Sequence, residues 1–340
     1  MSFGARLKQS GFDFYLVLLV GTVVLATVLP ARGNGAAAMS QVAFYAVALL
    51  FFLYGAKLDP SAVVAGIANW RLQALVFGFT YIAFPILGLL LAALLSPWLE
   101  PELVTGIVYL SVLPSTVQSS IAFTSIARGN VPAAVCAASV SNTVGVFVTP
   151  ALVALLLQAT GAGISTDAVL GIGVQILLPF IAGQIARPLV GGFIGRHRKL
   201  TQVVDRGSIL IIIYSAFSAG VVAGIWQQVS LASLAIVIAA NIGLLGFIMA
   251  LTRWAGRAAG LDRSDAMTLL FCGSKKSLAS GLPMANILFA GQAVSLIILP
   301  LMLFHQIQLF VCAVIAQREG YRAEERDRAE AAAAVSPRSA

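Results

Sequence analysis

Cys272-Gly273-Ser274-Lys275-Lys276-Ser277 interrupts an apolar segment, 266–289, long enough to cross a bilayer. Two ammonium groups at that depth cost about 2.5–3.5 kcal/mol each, even on a lenient insertion scale. A cost of that size calls for a partner or a water-filled cavity. Gly273, Ser277, Ser280, Gly281 and Pro283 make a poor continuous helix. A broken membrane helix carrying charge is the usual setting of a substrate or ion site in a secondary transporter. Snorkelling is the competing reading. Lys275 lies about 13 Å along a helix from the start of its segment, so it does not account for both lysines.

Working outward, the 340 residues are 59% apolar and only 10% charged. Soluble domains carry about 25% charged residues, so the chain reads as an all-α polytopic membrane protein. Its net charge of +8 does not indicate nucleic acid, because the basic residues fall between apolar segments. Cys136, Cys272 and Cys312 all lie inside apolar segments, and neither a disulfide framework nor a metal spacing follows from them. The N-terminus lacks the form of a cleaved signal peptide, so the first apolar segment reads as a retained span.

Spanning-length segments recur ten times, near 13–30, 40–56, 71–95, 103–126, 130–157, 168–187, 206–225, 231–252, 266–289 and 293–316. With the N-terminus inside, eighteen of the 21 Lys and Arg fall in inside segments; only Arg32 falls outside, and Lys275 and Lys276 are the other two. That asymmetry predicts both termini in the cytoplasm. Glu100, Glu102 and Asp167 fall in outside loops, and no carboxylate falls at mid-depth. Ten segments divide into five and five, 1–157 and 158–318, so the second half would be inverted relative to the first. Segments four and nine are both interrupted, and each precedes a long last segment with an internal proline, Pro150 or Pro300. The charged, Ala-rich stretch 317–340 reads as a cytoplasmic tail, a short frayed helix or disorder, with residues 319–340 set apart as that tail.

Segment four carries Ser115, Thr116, Gln118, Ser119, Ser120, Thr124 and Ser125 beside Pro114. Helix packing explains the hydroxyls and explains Gln118 less well. Carbonyls freed by Pro114, together with hydroxyls, would also suit a hard cation such as sodium. Asn130 is a candidate ligand of the site and suits a helix cap ahead of Pro132 at least as well. Asn142, deeper in its segment, reads as a supporting hydrogen-bond partner of the site. His305, with Gln306 and Gln308, is either a satisfied structural donor or a proton carrier. His197 reads as solvated in a basic loop. No HExxH, aspartate pair or Walker loop is present, and adjacent Ser and Lys point to different faces, so Ser274 or Ser277 with Lys275 or Lys276 does not read as a catalytic dyad. The chain is not expected to be an enzyme and no cofactor is expected.

These residues resemble the bile acid:sodium symporter superfamily in its bacterial, SBF-like branch, over about residues 5–318. The resemblance rests on Leu53-Tyr54-Gly55-Ala56-Lys57-Leu58, on the run from Leu113 through Ser125, on Ala127-Arg128-Gly129-Asn130-Val131, on the run from Phe271 through Ala279, and on Phe304-His305-Gln306-Ile307-Gln308. It implies ten helices in two inverted five-helix repeats. Helices one, two, six and seven would form a panel domain. Helices three to five and eight to ten would form a core in which broken helices four and nine cross. It also implies sodium-coupled uptake of organic anions by alternating access.

One departure stands out. Alignment on Gly273 puts Phe271 where sodium-coupled relatives hold an acidic ligand and Lys275 where they hold a glutamine. Ser119 and Ser120 match a Ser-Asn pair, and the hydroxyls of helix five fall on Ala134 and Ala138. Lys275 would then stand in for a sodium ion. Transport would be sodium-independent, or proton-coupled if burial lets the lysine release its proton; Ser119 and Ser120 are what is left of a sodium site.

The expected function is secondary transport of a small organic anion, drawn to Lys276 and the half-helix N-termini. The alternative is a membrane protein that regulates another process through its cytoplasmic loops. A dry core with both lysines on carbonyls would favour regulation, and a cavity lined by the polar run would favour transport. Lipid and the anion are the expected partners, and no oligomeric state follows from these residues.

Overall fold

The computed structural model of the chain describes residues 14–57, 69–159, 173–224, 227, 229–290 and 292–335. Helix occurs in the described part of each of the ten segments, and no strand occurs among the described residues. α1 is Phe14–Val28, α2 is Asn34–Lys57, and α3 is the stretch Trp70–Leu95 with one π-helical turn at Phe79–Ala83. Segment four is two half-helices, α4 (Pro101–Val112) and α5 (Gln118–Ile126). α6 is Val131–Ala159, α7 is Leu178–Arg196, α8 is Arg198–Val222 and α9 is Leu231–Ala258. Segment nine is α10 (Arg263–Gly273) and α11 (Leu278–Leu288), followed by short α12 (Val294–Ile297) and long α13 (Leu299–Val335).

Among the described residues, seven continuous helical stretches are long and apolar enough to cross a membrane, which makes the chain a multi-pass membrane protein. A half-helix of 12 residues such as α4 reaches only about 18 Å. Its segment needs both halves to match a hydrocarbon core of about 30 Å.

The breaks have local causes. Pro114 disfavours the helical region for the residue before it, and Leu113 is extended at φ −72°, ψ 154°, so α4 stops at Val112. α10 ends on Gly273, and Ser277 (φ −85°, ψ 111°) restarts the chain as the N-cap of α11, its Oγ accepting the Ser280 N–H. α5 ends in a Schellman turn. The Gly129 N–H donates to Thr124 O (2.8 Å) and the Arg128 N–H to Ser125 O (3.0 Å), with Arg128 left-handed at φ 54°.

α1, α2, α7 and α8 pack on one another, while α3–α6 and α9–α13 enclose the two breaks. α2 and α7 approach through reciprocal glycines. A Cβ on Gly55 would lie 2.0 Å from Phe180 O, and one on Gly183 would lie 2.0 Å from Phe52 O. Only a missing side chain permits such backbone contact.

Three expectations need correction. The basic stretch between segments six and seven is not a loop: α7 runs on to Arg196 and α8 begins at Arg198, because Arg and Lys are good helix formers and only hydropathy falls off there. His197, at the joint, is exposed as expected, and its ring also stacks on Phe193 with centroids 4.2 Å apart. The tail is not frayed up to Val335. α13 continues through it, held by Arg253 on Glu319 (3.0 Å) and by Arg128 on Glu324 (3.0 Å) and Asp327. Pro300 also lies in the first turn of α13 rather than mid-helix, a position suited to proline. Arg6, Lys8, Leu58, Asp167, Arg338 and the segment ends at 13, 168–172 and 225 lie outside the described residues.

Candidate functional site

The two breaks bind each other. The Ser277 N–H donates to Pro114 O (2.8 Å), the Ser115 hydroxyl to Cys272 O (2.6 Å) and the Ser120 hydroxyl to Phe271 O (3.0 Å). Backbone groups that unwinding would orphan in lipid are thus satisfied across the crossing. Ser274 turns back onto its own helix and donates to Leu270 O. Lys275 and Lys276 are both fully buried at this point.

Lys276 is saturated. Its Nζ donates to Thr80 O, Ser111 O and Leu113 O, each at 2.7 Å, and lies 4.2 Å from the centre of the Phe84 ring. An ammonium has three donors, so none is left over. The acceptors exist because two helices are irregular. In the π turn the Phe84 N–H bonds Phe79 O, which leaves Thr80 O without its ordinary partner. Ser111 and Leu113 supply carbonyls at the negative C-terminal end of α4.

Gln308 then grips the backbone of Lys276, its Oε1 accepting the N–H (2.9 Å) and its Nε2 donating to the carbonyl (2.8 Å). The reversed amide would set donor against donor and acceptor against acceptor, which fixes its orientation. Nε2 also lies 2.9 Å from His305 Nδ1, so that ring nitrogen accepts and a neutral ring carries its proton on Nε2.

Lys275 is held differently. Its Nζ donates to Ser119 Oγ (3.1 Å) and lies 4.0 Å from the centre of the Phe123 ring. Beyond Ser119 the hydroxyls form a chain. Ser119 donates to Thr116 Oγ1 (2.8 Å), Thr116 pairs with Ser120 (2.8 Å), and Ser120 ends on Phe271 O. A lysine only donates and a carbonyl only accepts, so the chain is polarised away from Lys275.

A cavity of about 380 Å³ opens beside this chain. Its core side is the first turns of α5 and α11: Thr116, Gln118 and Ser119 from one, Ser277 and Ser280 from the other. Its far side is Tyr54 and Lys57 of α2 with Arg206 and Ile209 of α8. His305, Ser139, Asn142 and Thr143 also line it, with apolar Val117, Leu278, Ala279 and Leu309 between the polar groups. Asn142 Oδ1 accepts the Ser280 hydroxyl (2.7 Å). Two half-helices thus point their positive ends into one cavity, an arrangement suited to an anion.

Of the residues singled out from sequence, Thr116, Gln118, Ser119, Ser277, Asn142 and His305 line this cavity. Lys275, Lys276, Ser115, Ser120 and Ser274 form the buried layer of the crossing. Asn130 lies elsewhere. Its Oδ1 caps α6 through the Ala133 N–H (3.0 Å) and its Nδ2 donates to Asp265 (2.8 Å), which also takes the Asn69 amide (2.7 Å). Sequence reasoning did not single out Thr80 or Arg206. No pattern announced Thr80, whose carbonyl matters rather than its side chain. Lys57, in the quoted Leu53–Leu58 motif, was the available signal for the cavity's second wall.

The sequence profile of the SBF-like CPA transporter family matches residues 13–320. "Uncharacterized protein PA2026" of Pseudomonas aeruginosa is 52% identical over 96% of this chain and 97% of its own length. "Putative symporter YfeH" of Escherichia coli K12 is 44% identical over 92% of this chain and 94% of its own. "Sodium/bile acid cotransporter 7" of the rat is 26% identical over 91% of this chain and 92% of its own.

Proposed function

The chain belongs to the SBF-like CPA transporter family, and from that premise we propose that it carries a small organic anion through the cavity at the crossing by alternating access, without need of sodium. It is a membrane transporter of the bile acid:sodium symporter type, not an enzyme. The observation that carries the proposal is a single cavity bounded by both half-helix N-termini on one side and by α2 and α8 on the other. α1, α2, α7 and α8 act as the panel and α3–α6 with α9–α13 as the core, in a ten-span fold of two inverted repeats, 1–157 and 158–318. Both termini lie in the cytoplasm of a bacterial inner membrane. The cavity reaches Lys57 and Arg206, on the basic side, so this conformation is the inward-open one.

Sodium independence rests on what surrounds Lys275. The aligned positions of the acidic and hydroxyl ligands are Phe271, Ala134 and Ala138, all fully buried. The lysine ammonium supplies a positive charge there, and Ser119, one of the two remaining hydroxyls, is its hydrogen-bond partner. Lys276 has every donor engaged within the protein, so the anion is drawn by the helix ends rather than by that lysine.

A thermal-shift screen against organic anions identifies the ligand, since binding to the folded state raises the melting point. Uptake into proteoliposomes follows, with inward sodium, inward proton or no cation gradient. Uptake of a screened anion without sodium supports the proposal. Failure of every anion to bind, or binding unchanged when the cavity is filled by Ser139→Trp, contradicts it.

A further inference from the structure

Beyond residue 316, α13 lies against the end of α5 and the start of α10, on the face that the proposed topology puts in the cytoplasm. Gly320 permits the approach: a Cβ there would lie 2.4 Å from Ile126 O, in the last turn of α5. Ala316 and Ala323, four residues before it and three after, are buried on the same helix face. One guanidinium joins three elements at this point. Arg263, the first residue of α10, donates from Nη2 to Ala127 O (3.1 Å) and to Glu319 O (2.7 Å). Arg253 of α9 adds an ion pair to the Glu319 side chain, which is only 13% exposed.

Past Ala323 the attachment changes character. Among the described side chains, this part is held by Arg128, which pairs with Glu324 (3.0 Å) and Asp327. The three groups are 43–64% exposed, so salt screens them far more than it screens Glu319. Arg128 is also an unusual choice for its place. It has φ 54° at the left-handed position that ends α5, where glycine is the usual residue. An arginine that carries such backbone strain is there for its side chain, and that side chain reaches the tail. The first turn of the same half-helix, with Gln118 and Ser119, lines the cavity at the crossing. The grip on the far end of α5 is thus about 12 Å from that cavity along the helix.

We infer that residues 324–335 of α13 form a latch that ionic strength opens. At low salt they dock on Arg128 and steady the end of α5; at high salt they let go, while residues 316–323 stay in place. The latch rests on these contacts and not on the transport reading.

The test is hydrogen exchange of the purified full chain in detergent, at about 0.02 M and about 0.5 M potassium chloride. In wild type, the amides of 324–335 and of the last turn of α5 should exchange about fivefold faster at high salt, and those of 316–323 should not. Glu324→Gln combined with Asp327→Asn should show the high-salt pattern at both concentrations. Arg128→Lys, which keeps the charge, should retain a salt response, and Arg128→Gln should abolish it. If Arg128→Gln does not fold, the double variant decides alone. Equal protection of 324–335 at both concentrations would overturn the inference. So would loosening of 316–323 together with 324–335, or a salt response that survives in the double variant.

Discussion

Lys275 and Lys276 are adjacent in the chain and equally buried, yet their surroundings share almost nothing. Lys276 donates to three backbone carbonyls from two helices, and Gln308 holds its backbone on both sides. Lys275 has one hydroxyl and one ring. Neighbours on a broken helix point in different directions, so one cation became a fastener and the other sits behind a cavity wall that includes Ser119. The difference separates what holds the crossing together from what the crossing does.

Removing the fastener should have the largest effect. Lys276→Met strands three buried carbonyls, each worth about 1–3 kcal/mol when orphaned, so it should cost on the order of 3 kcal/mol or more. Loss of monodisperse protein and a large fall in melting temperature are the expected readouts; a variant as stable as wild type would break the contrast. Gln308→Leu should cost about 2 kcal/mol by the same measurement. Combined with Lys276→Met it should add less than its own effect, because both hold one residue.

Ser119→Ala leaves Lys275 with the Phe123 ring alone and should cost about 1 kcal/mol, while Ser119→Thr keeps the hydroxyl and restores it. Lys275→Gln has the smallest effect on stability and the opposite sign from its neighbour. It removes a buried charge held by few contacts, so melting should be unchanged or slightly raised. Sodium-free uptake should nevertheless fall at least about tenfold, the loss expected when an interaction worth about 1.4 kcal/mol disappears from the transport cycle. A large fall in melting temperature for this variant would make both lysines structural and remove the distinction.

Much of this was legible before any coordinates. Hydropathy located the segments, and Pro114 and Gly273 located the breaks, because proline and glycine act on their own backbone. The separate environments of the two lysines were not legible. Lys276 is held by carbonyls at residues 80, 111 and 113, and one of these is released by a π turn in Phe79-Thr80-Tyr81-Ile82-Ala83. The only sequence signal there is Pro85 just beyond the run, which marks a helix irregularity without saying which carbonyl it frees. The tail was misjudged for a related reason. Its charges looked solvated, but Glu319, Glu324 and Asp327 pair with Arg253 and Arg128, far away in sequence. Hydropathy also ends where Arg and Lys begin, though the helices of 187–206 do not.

The most direct test is the initial rate of anion uptake into proteoliposomes at matched osmolarity, with sodium on both sides, on one side, or replaced by choline. The account predicts equal rates for the wild-type chain in all three conditions and near-background rates for Lys275→Gln without sodium. Wild-type uptake that appears only with an inward sodium gradient would contradict it.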